Sequence, residues 1–371
     1  MDGFASIPAT VERLLTGAPG GLPAATTAGV ERAEHVGVVL LDAFGWRFVQ
    51  RHAGHPLLRR LDVVSPLASQ FPSTTTAHVT TMHTGTPVGE HGLYEWIVYD
   101  PAYGDVITPI LFSRAGELVP GTLKGIEMAD VLPEATFYQR LAARSVVLSP
   151  AAFSPSVYDS VALRGAELRT YADIGTGAAM FAEALREPGY AYLYWHEIDA
   201  TGHVHGPDSP EFDAACVAAL DALDAALRQG PAVVMLTADH GQIATDPTRV
   251  DYLDELVPGV GELLAYAPAG SARDVFLHAR PGRAEELAGA LRDALDGRAE
   301  VLLTAELESR GAFGEVGPRL RERLADVCVL PALGRMAWLR AHRSVESRFR
   351  GHHGGMTPDE SETWLGGMIL P

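Results

Sequence analysis

Only two cysteines, Cys216 and Cys328, occur in 371 residues. Each lies in an apolar helix-like or strand-like setting, which argues for buried thiols and against a disulfide framework or a cysteine metal site. Long apolar runs are missing as well: nothing approaches the roughly 20 residues that a membrane-spanning helix needs. The opening stretch MDGFASIPATVERLLTG lacks the basic start and apolar centre of a secretion signal. A cytoplasmic protein with no membrane partner is the expectation. Basic residues are the third shortage, 29 against 47 acidic, for a net charge of −18. The acidic excess is spread along the chain rather than gathered in a tail, which excludes a general nucleic-acid surface. If the substrate is an anion, something local must reverse that field. There is no internal repeat and no low-complexity linker, although proline and glycine cluster near 17–23.

The apolar content of 47% and charged content of 20% are those of an ordinary globular protein. Three apolar runs, HVGVVLLDAFG, YAYLYWHEIDATGH and AVVMLTADHGQ, end in acidic or polar residues and are followed by helical patterns. Runs of this kind suit parallel strands buried on both faces, so the reading is an α/β fold, a doubly wound, mostly parallel sheet sandwiched by helices. Ligands in such folds bind beyond the carboxyl ends of the strands. Helices are expected at about 45–53, 75–83, 135–143, 176–186 and 210–229, the last with proline near its start and glycine after its end. WIVYDPAYGDVITPILF reads as a β-hairpin belonging to a lid. The texture changes from about 250 to 330, where strand, helix and strand carry no catalytic-looking residues. A single domain of 1–371 is expected, with a core of about 30–249 and 331–371 and an inserted α+β subdomain at about 250–330.

Residues suited to holding metal fall at four strand ends or loops: Asp42; Asp199 and His203 in a D-x-x-x-H spacing; Asp239 with His240; and His352 with His353 before two glycines. Mixed carboxylate and imidazole sets suit zinc or a similar first-row ion, and oxygen-rich sites tolerate manganese. Each piece alone is weak, because an Asp-His pair arises by chance and an aspartate at a strand end usually caps a helix. Their co-occurrence with FPSTTTAHVTTMHTG changes the balance. A threonine at the start of a helix near 75–83 projects its hydroxyl among unpaired amides at a positive dipole end, a natural cradle for phosphate. A divalent ion on that oxygen would help to ionise it into a nucleophile. In the simpler alternative, Ser73 or Thr74 only caps the helix.

Taken together, VVLLDAFG, FPSTTTAHVTTMHTGTPVGEHGL, HEIDATGHVHGP, TADHGQ and HHGGMTPDE, in this order, resemble the alkaline phosphatase superfamily and, within it, the type I phosphodiesterase/nucleotide pyrophosphatase family. The resemblance implies an alkaline phosphatase-like core with an inserted cap. It also implies a hydrolase that cleaves phosphodiester or pyrophosphate bonds through a covalent phosphoryl-threonine. Thr75 would be the nucleophile, with Pro72 fixing the register. Two divalent ions, zinc before manganese, would be held by Asp42, Thr75, Asp239 and His240, and by Asp199, His203 and His353. His353 is taken over His352 because the family's ligand directly precedes the glycine; His352 and His205 are read as supporting or solvent-facing.

Thr76, Ala77, His78 and Val79 depart from the nucleotide pyrophosphatase pattern, in which an aromatic and an asparagine follow the threonine. His78 is therefore the expected replacement phosphoryl donor, and Tyr94, with Trp96, the alternative stacking surface. Competing readings are a phosphonate hydrolase acting on a C–P bond, a phosphomonoesterase and a non-catalytic metal-stabilised binding protein. A sulfatase is disfavoured because no Cys/Ser-x-Pro-x-Arg motif is present. The partner expected is a small phosphorylated substrate, bound by a monomer or homodimer.

Overall fold

A computed structural model of the chain describes residues 3–132, 135–342 and 348–371. Its centre is a seven-stranded sheet. The strands are β1 (His35–Leu41), β2 (Val63–Ala68), β3 (Ser145–Pro150), β4 (Glu167–Tyr171), β5 (Gly189–Trp195), β6 (Val233–Thr237) and β7 (Glu362–Ile369). Their spatial order is β2-β7-β6-β1-β5-β3-β4. The run from β6 to β4 pairs in parallel, whereas β7 lies antiparallel to both β6 and β2. The fold is thus a doubly wound, mostly parallel sheet between helices.

Alternation along β1 shows why its apolar run is continuous. Val36, Val38 and Leu40 pack with helix α1 (Ile7–Thr16) and Met82 of helix α2 (Thr75–Thr84) on one face. Val39 and Leu41 pack on the other face with Phe181 of helix α3 (Ile174–Ala184) and with Phe212, Cys216 and Leu220. Gly37 is required by close approach, since a Cβ there would stand 2.7 Å from the Phe181 ring. Helices α4 (Glu197–His205) and α5 (Pro210–Ala226) follow β5. Ser209 caps α5 through its hydroxyl, with Pro210 in the first turn. Both cysteines are buried and unbridged, and no helix among the described residues is long and apolar enough to cross a membrane.

The stretch 96–112 contains the expected hairpin, Val98–Asp100 against Asp105–Thr108, and Ser113–Arg114 adds a third short strand. Beyond it, Ala269–Ser271, Asp274–Leu277, Val327–Pro331 and Ala299–Leu303 form a separate antiparallel sheet in that order, covered by helix α6 (Ala284–Ala294). Its interior is continuous with that of the preceding hairpin: Phe276, Leu287 and Val329 share one apolar cluster with Phe71, Tyr94 and Val98.

Several histidines belong to the core. His83 accepts from or donates to the Tyr138 hydroxyl at 2.7 Å, and His91 bridges Thr81 Oγ1 at 3.1 Å and the Leu93 amide at 3.1 Å. Burial depresses both from the ordinary 6.5 to about 3. Between these values the unfolded chain takes up protons that the folded chain refuses, so full stability holds above about pH 6.5 and falls towards pH 3. Each histidine should cost roughly 3 kcal/mol between pH 7 and 4. The measurement is Tm against pH on metal-free protein, where His83→Gln should flatten the acid slope relative to wild type; identical slopes would contradict the assignment.

Candidate active site

The carboxyl ends of β1, β5 and β6 face one region, as the parallel topology requires. Asp42 directly follows β1, and its amide still bonds Trp195 O of β5 at 2.9 Å. Ala43 then takes a left-handed conformation, φ 61°, unusual for a residue with a Cβ. The turn aims its amide at Asp239 Oδ1, 3.1 Å away. Asp239 and His240 lie just beyond β6, and the His240 amide also donates to Asp239 Oδ1, at 3.0 Å.

Thr75 is the first residue of α2, and its side chain is half-buried. The capping alternative fails on geometry. Thr74 occupies the N-cap position but makes no side-chain cap bond; its hydroxyl donates to Tyr94 O, while that of Ser73 donates to Gly355 O. Helix α4 places Asp199 and His203 four residues apart on one face, with Nε2 to Oδ2 at 3.1 Å. His353 arrives because Gly351–His352 pairs antiparallel with Ile243–Ala244, three residues after His240.

The structure thereby brings all seven expected residues together, in two groups. Asp199, His203 and His353 form one set of ligand atoms mutually within 4.8 Å, and Asp42, Asp239 and His240 form another. Thr75 Oγ1 joins the second, 3.3 Å from His240 Nε2 and 3.4 and 3.5 Å from the Asp42 oxygens. The groups adjoin, as the His240 and His353 rings stack with centroids 3.8 Å apart.

Two features test whether these donors fit divalent ions. Four contacts are longer than good hydrogen bonds: Thr75 Oγ1 to His240 Nε2 at 3.3 Å and to Asp42 at 3.4 Å, His240 Nε2 to Asp42 at 3.5 Å and to Asp239 Oδ2 at 3.4 Å. Ligands about 2.0–2.2 Å from a tetrahedral zinc stand about 3.3–3.6 Å from each other, so these contacts match edges of a coordination polyhedron. In addition, the ring Nδ1 of each of the three histidines faces a backbone carbonyl. His203 meets Gly351 O at 2.7 Å, His240 meets Gly241 O at 3.0 Å and His353 meets Ser73 O at 2.9 Å. An Nδ1–H donating there leaves each Nε2 lone pair directed at the group. The buried Asp239 Oδ2 has no hydrogen-bond partner among the described residues. The donor set fits the ions.

Electrostatics agree. Among the described residues no lysine or arginine pairs with Asp42, Asp199 or Asp239; their ion-pair partners are histidines. Burial, with repulsion from Asp239 and Asp199, pushes the Asp42 carboxyl well above its usual range, and burial also raises Asp239. Burial would likewise raise Asp199, but attraction to and a hydrogen bond with His203, together with His353, hold it below the ordinary value. Burial and the neighbouring His240 push the His353 imidazole well below its ordinary value. Carboxylates gathered so closely without fixed cations resist ionising together, and bound cations relieve that resistance.

The substrate-contact expectations for His78 and Tyr94 are corrected. His78 is wholly buried, with Nδ1 at 2.7 Å from Thr74 O and Nε2 accepting from the Gln70 amide at 2.9 Å. It sits under the Thr74–Thr75 turn and presents no donor to the cleft. Tyr94 is wholly buried, with its ring edge-on to Phe276, so it offers no stacking face. An exposed aromatic stands elsewhere: Phe153 packs edge-on against His196, three residues before Asp199, with centroids 4.6 Å apart. His205 is exposed, whereas His352 is buried with Nδ1 against His353 O at 2.9 Å. Two supporting residues went unassigned in the sequence: Tyr194, whose hydroxyl donates to Asp42 Oδ2 at 2.5 Å, and Gln242, which donates to Asp199 Oδ1 at 2.8 Å. Tyr194 follows from pairing β5 beside β1, which the sequence does not disclose.

Residues 36–356 match the family described as type I phosphodiesterase/nucleotide pyrophosphatase. The chain belongs to that family. As a type I phosphodiesterase/nucleotide pyrophosphatase family member of the alkaline phosphatase superfamily, it is a hydrolase of phosphate esters. Similar solved structures include murine ectonucleotide pyrophosphatase/phosphodiesterase 5, inactive and in complex with AMP. It has a TM-score of 0.68 and 19% identity, covering 90% of this chain and 88% of that one. The human form of the same protein has a TM-score of 0.68 and 16% identity, over 90% of this family member and 87% of that chain. Phosphonoacetate hydrolase from Sinorhizobium meliloti 1021, in complex with phosphonoformate, has a TM-score of 0.61 and 16% identity, over 91% of each chain. No curated protein matches this family member in sequence.

Proposed function

We propose that the chain cleaves phosphodiester or pyrophosphate bonds of a small phosphorylated substrate with two divalent ions, through a covalent phosphoryl-threonine. The observation that carries this reading is the Thr75 hydroxyl, half-buried at the first turn of α2 and 3.3–3.5 Å from Asp42 and His240. Asp42, Thr75, Asp239 and His240 would hold one ion, and Asp199, His203 and His353 the other. When bound, such ions lower the pKa of an attached hydroxyl or water and neutralise developing charge on phosphoryl oxygens.

The remaining work falls to the chain. Thr75 Oγ1 gives up its proton to solvent and attacks phosphorus, the bond to the leaving oxygen breaks on the opposite side and that oxygen takes up a proton from solvent, and a threonyl phosphate ester forms. Water then attacks phosphorus and returns the threonine hydroxyl. The amides of the first turn of α2 lack helical acceptors and face the phosphoryl group with the positive end of the helix dipole. Tyr194 and the Ala43 amide fix Asp42 and Asp239, so the carboxylates need not reorganise during the reaction. Positive charge gathered at this one place lets an acidic protein receive an anionic substrate.

The test is release of p-nitrophenol from bis-p-nitrophenyl phosphate, p-nitrophenyl phosphate and a nucleotide nitrophenyl ester, with phosphate release from phosphonoacetate as a fourth arm. The diester or the nucleotide ester should turn over fastest. Chelation should remove essentially all turnover, and zinc or manganese should restore it. Protein that carries two zinc ions per chain yet leaves all four compounds intact would instead favour the metal-stabilised binding protein. Preferential turnover of phosphonoacetate would favour C–P cleavage.

A further inference from the structure

The strongest unexplained feature outside the ligand set is a buried ion pair between the separate antiparallel sheet and the short helix Pro358–Ser361 that follows His353. Arg273 sits at the tip of the hairpin joining Ala269–Ser271 to Asp274–Leu277 and is 1% exposed; Glu360 is 0% exposed. The guanidinium grips the carboxylate with two bonds, Nε to Oε1 at 2.9 Å and Nη2 to Oε2 at 3.0 Å. Its Nη1 donates to Pro331 O and Ala332 O at 2.9 Å and to Arg335 O at 2.6 Å. A fork engaged so completely is a geometric fixture that lysine, with a single point of charge, does not reproduce.

Glu360 passes the constraint on. Its Oε1 accepts from the Gly355 amide at 3.1 Å and its Oε2 from the Thr357 hydroxyl at 2.6 Å. The same hairpin tip presses on Gly354, φ +116°, where a Cβ would stand 2.6 Å from Asp274 Oδ1 and 2.9 Å from Ser271 Oγ. Residues 353–355 are in turn stitched to Ser73. The Gly354 amide donates to Ser73 Oγ at 3.1 Å, Ser73 Oγ donates to Gly355 O at 2.9 Å, and His353 Nδ1 meets Ser73 O at 2.9 Å. Ser73 is two residues from Thr75.

We propose that Arg273 is a positioning residue for catalysis: through Glu360 and Gly355 it sets the place of His353 in one metal group and, through Ser73, of the Thr75 hydroxyl in the other. This assigns a role to the sheet between about 269 and 331. It is a brace whose tip fixes the catalytic turn, rather than a freely moving lid. The inference rests on the two-metal reading given above.

Arg273→Lys and Glu360→Gln are the primary variants. The double variant Arg273→Met/Glu360→Gln removes both charges, so a folded protein remains to be measured if a lone buried charge unfolds a single variant. The readouts are zinc per chain, zinc affinity by chelator competition, Tm, and kcat and KM on the diester. In folded variants one of the two zinc ions should bind roughly 10–100-fold more weakly, the range for lost outer hydrogen bonds at metal sites. At saturating zinc, kcat should fall with KM little changed. Folded variants that bind both ions as tightly as wild type, with unchanged kcat and only a lower Tm, would overturn the proposal and leave the pair a plain structural contact. Failure of the two-metal reading would show differently, as wild-type protein that binds fewer than two ions.

Discussion

Thr75→Ala should lower kcat on a phosphodiester by on the order of a thousandfold or more, the scale of removing an enzyme nucleophile. Its metal content should stay close to wild type, because Asp42, Asp239 and His240 remain. Stability should change little, since the residue is half-buried and its hydroxyl contacts to Asp42 and His240 are 3.3 Å or longer. The contrast between intact metal and absent turnover is the informative part. A parallel check is rapid acid quenching of wild-type enzyme with substrate, followed by peptide mass spectrometry for a phosphoryl group on the peptide containing Thr75. Substantial activity in Thr75→Ala would transfer the role to Thr74 or to direct attack by water. The structure weighs against Thr74, whose hydroxyl points away to Tyr94 O at 3.2 Å.

Asp239→Asn should have the second largest effect, and in the opposite order: metal is lost first and activity follows. An asparagine oxygen can keep both amide bonds now made to Asp239 Oδ1, from Ala43 at 3.1 Å and His240 at 3.0 Å, so the turn should survive. The amide nitrogen would then replace Oδ2, which faces His240 Nε2 at 3.4 Å without a hydrogen-bond partner. An NH2 group has no lone pair for a cation. Elemental analysis should find zinc falling from about two ions per chain towards one. The metal-free variant should melt higher than metal-free wild type, because burial raises the Asp239 pKa and so makes its ionised form a cost that asparagine removes. Added zinc should raise the Tm of wild type much more than that of the variant. Unchanged zinc content would remove Asp239 from the ligand set.

The sequence disclosed the core strands because their apolar runs are unbroken, and HVGVVLL, AYLYW and VVMLT lie within or form β1, β5 and β6. The seven polar positions that the structure brings together stood out because the proposed metal chemistry draws on few residue types and because Asp42, Asp239 and His240 lie just beyond the ends of β1 and β6. The strand β7 was not legible. Its ETWLGGMI carries two glycines that look like a break, yet Gly366 lies against Leu61 and Trp364, and a Cβ on Gly367 would stand 2.6 Å from Thr26 O. Their purpose is close approach, which depends on partners far away in the chain. The errors over His78 and Tyr94 have the same origin: a motif position tells which residues are near one another, but not which way a side chain turns from the backbone. His78 turns back to its own Thr74 carbonyl, and Tyr94 turns into the apolar interior with Phe276. Arg273 gave no signal, as an arginine in a short turn ordinarily reads as surface.

The placement of β7 also orders events during synthesis. It lies between β2 and β6, two strands made long before it, and it is preceded within ten residues by His353. A nascent chain that has emerged as far as residue 350 holds six of the strands of the central sheet and six of the seven polar positions, yet β2 has no partner across the gap and the group of Asp199, His203 and His353 lacks its last member. Closure of the sheet and completion of the second proposed metal group would therefore come together and late, and under the proposed mechanism Thr75 would become competent only once the scaffold is shut.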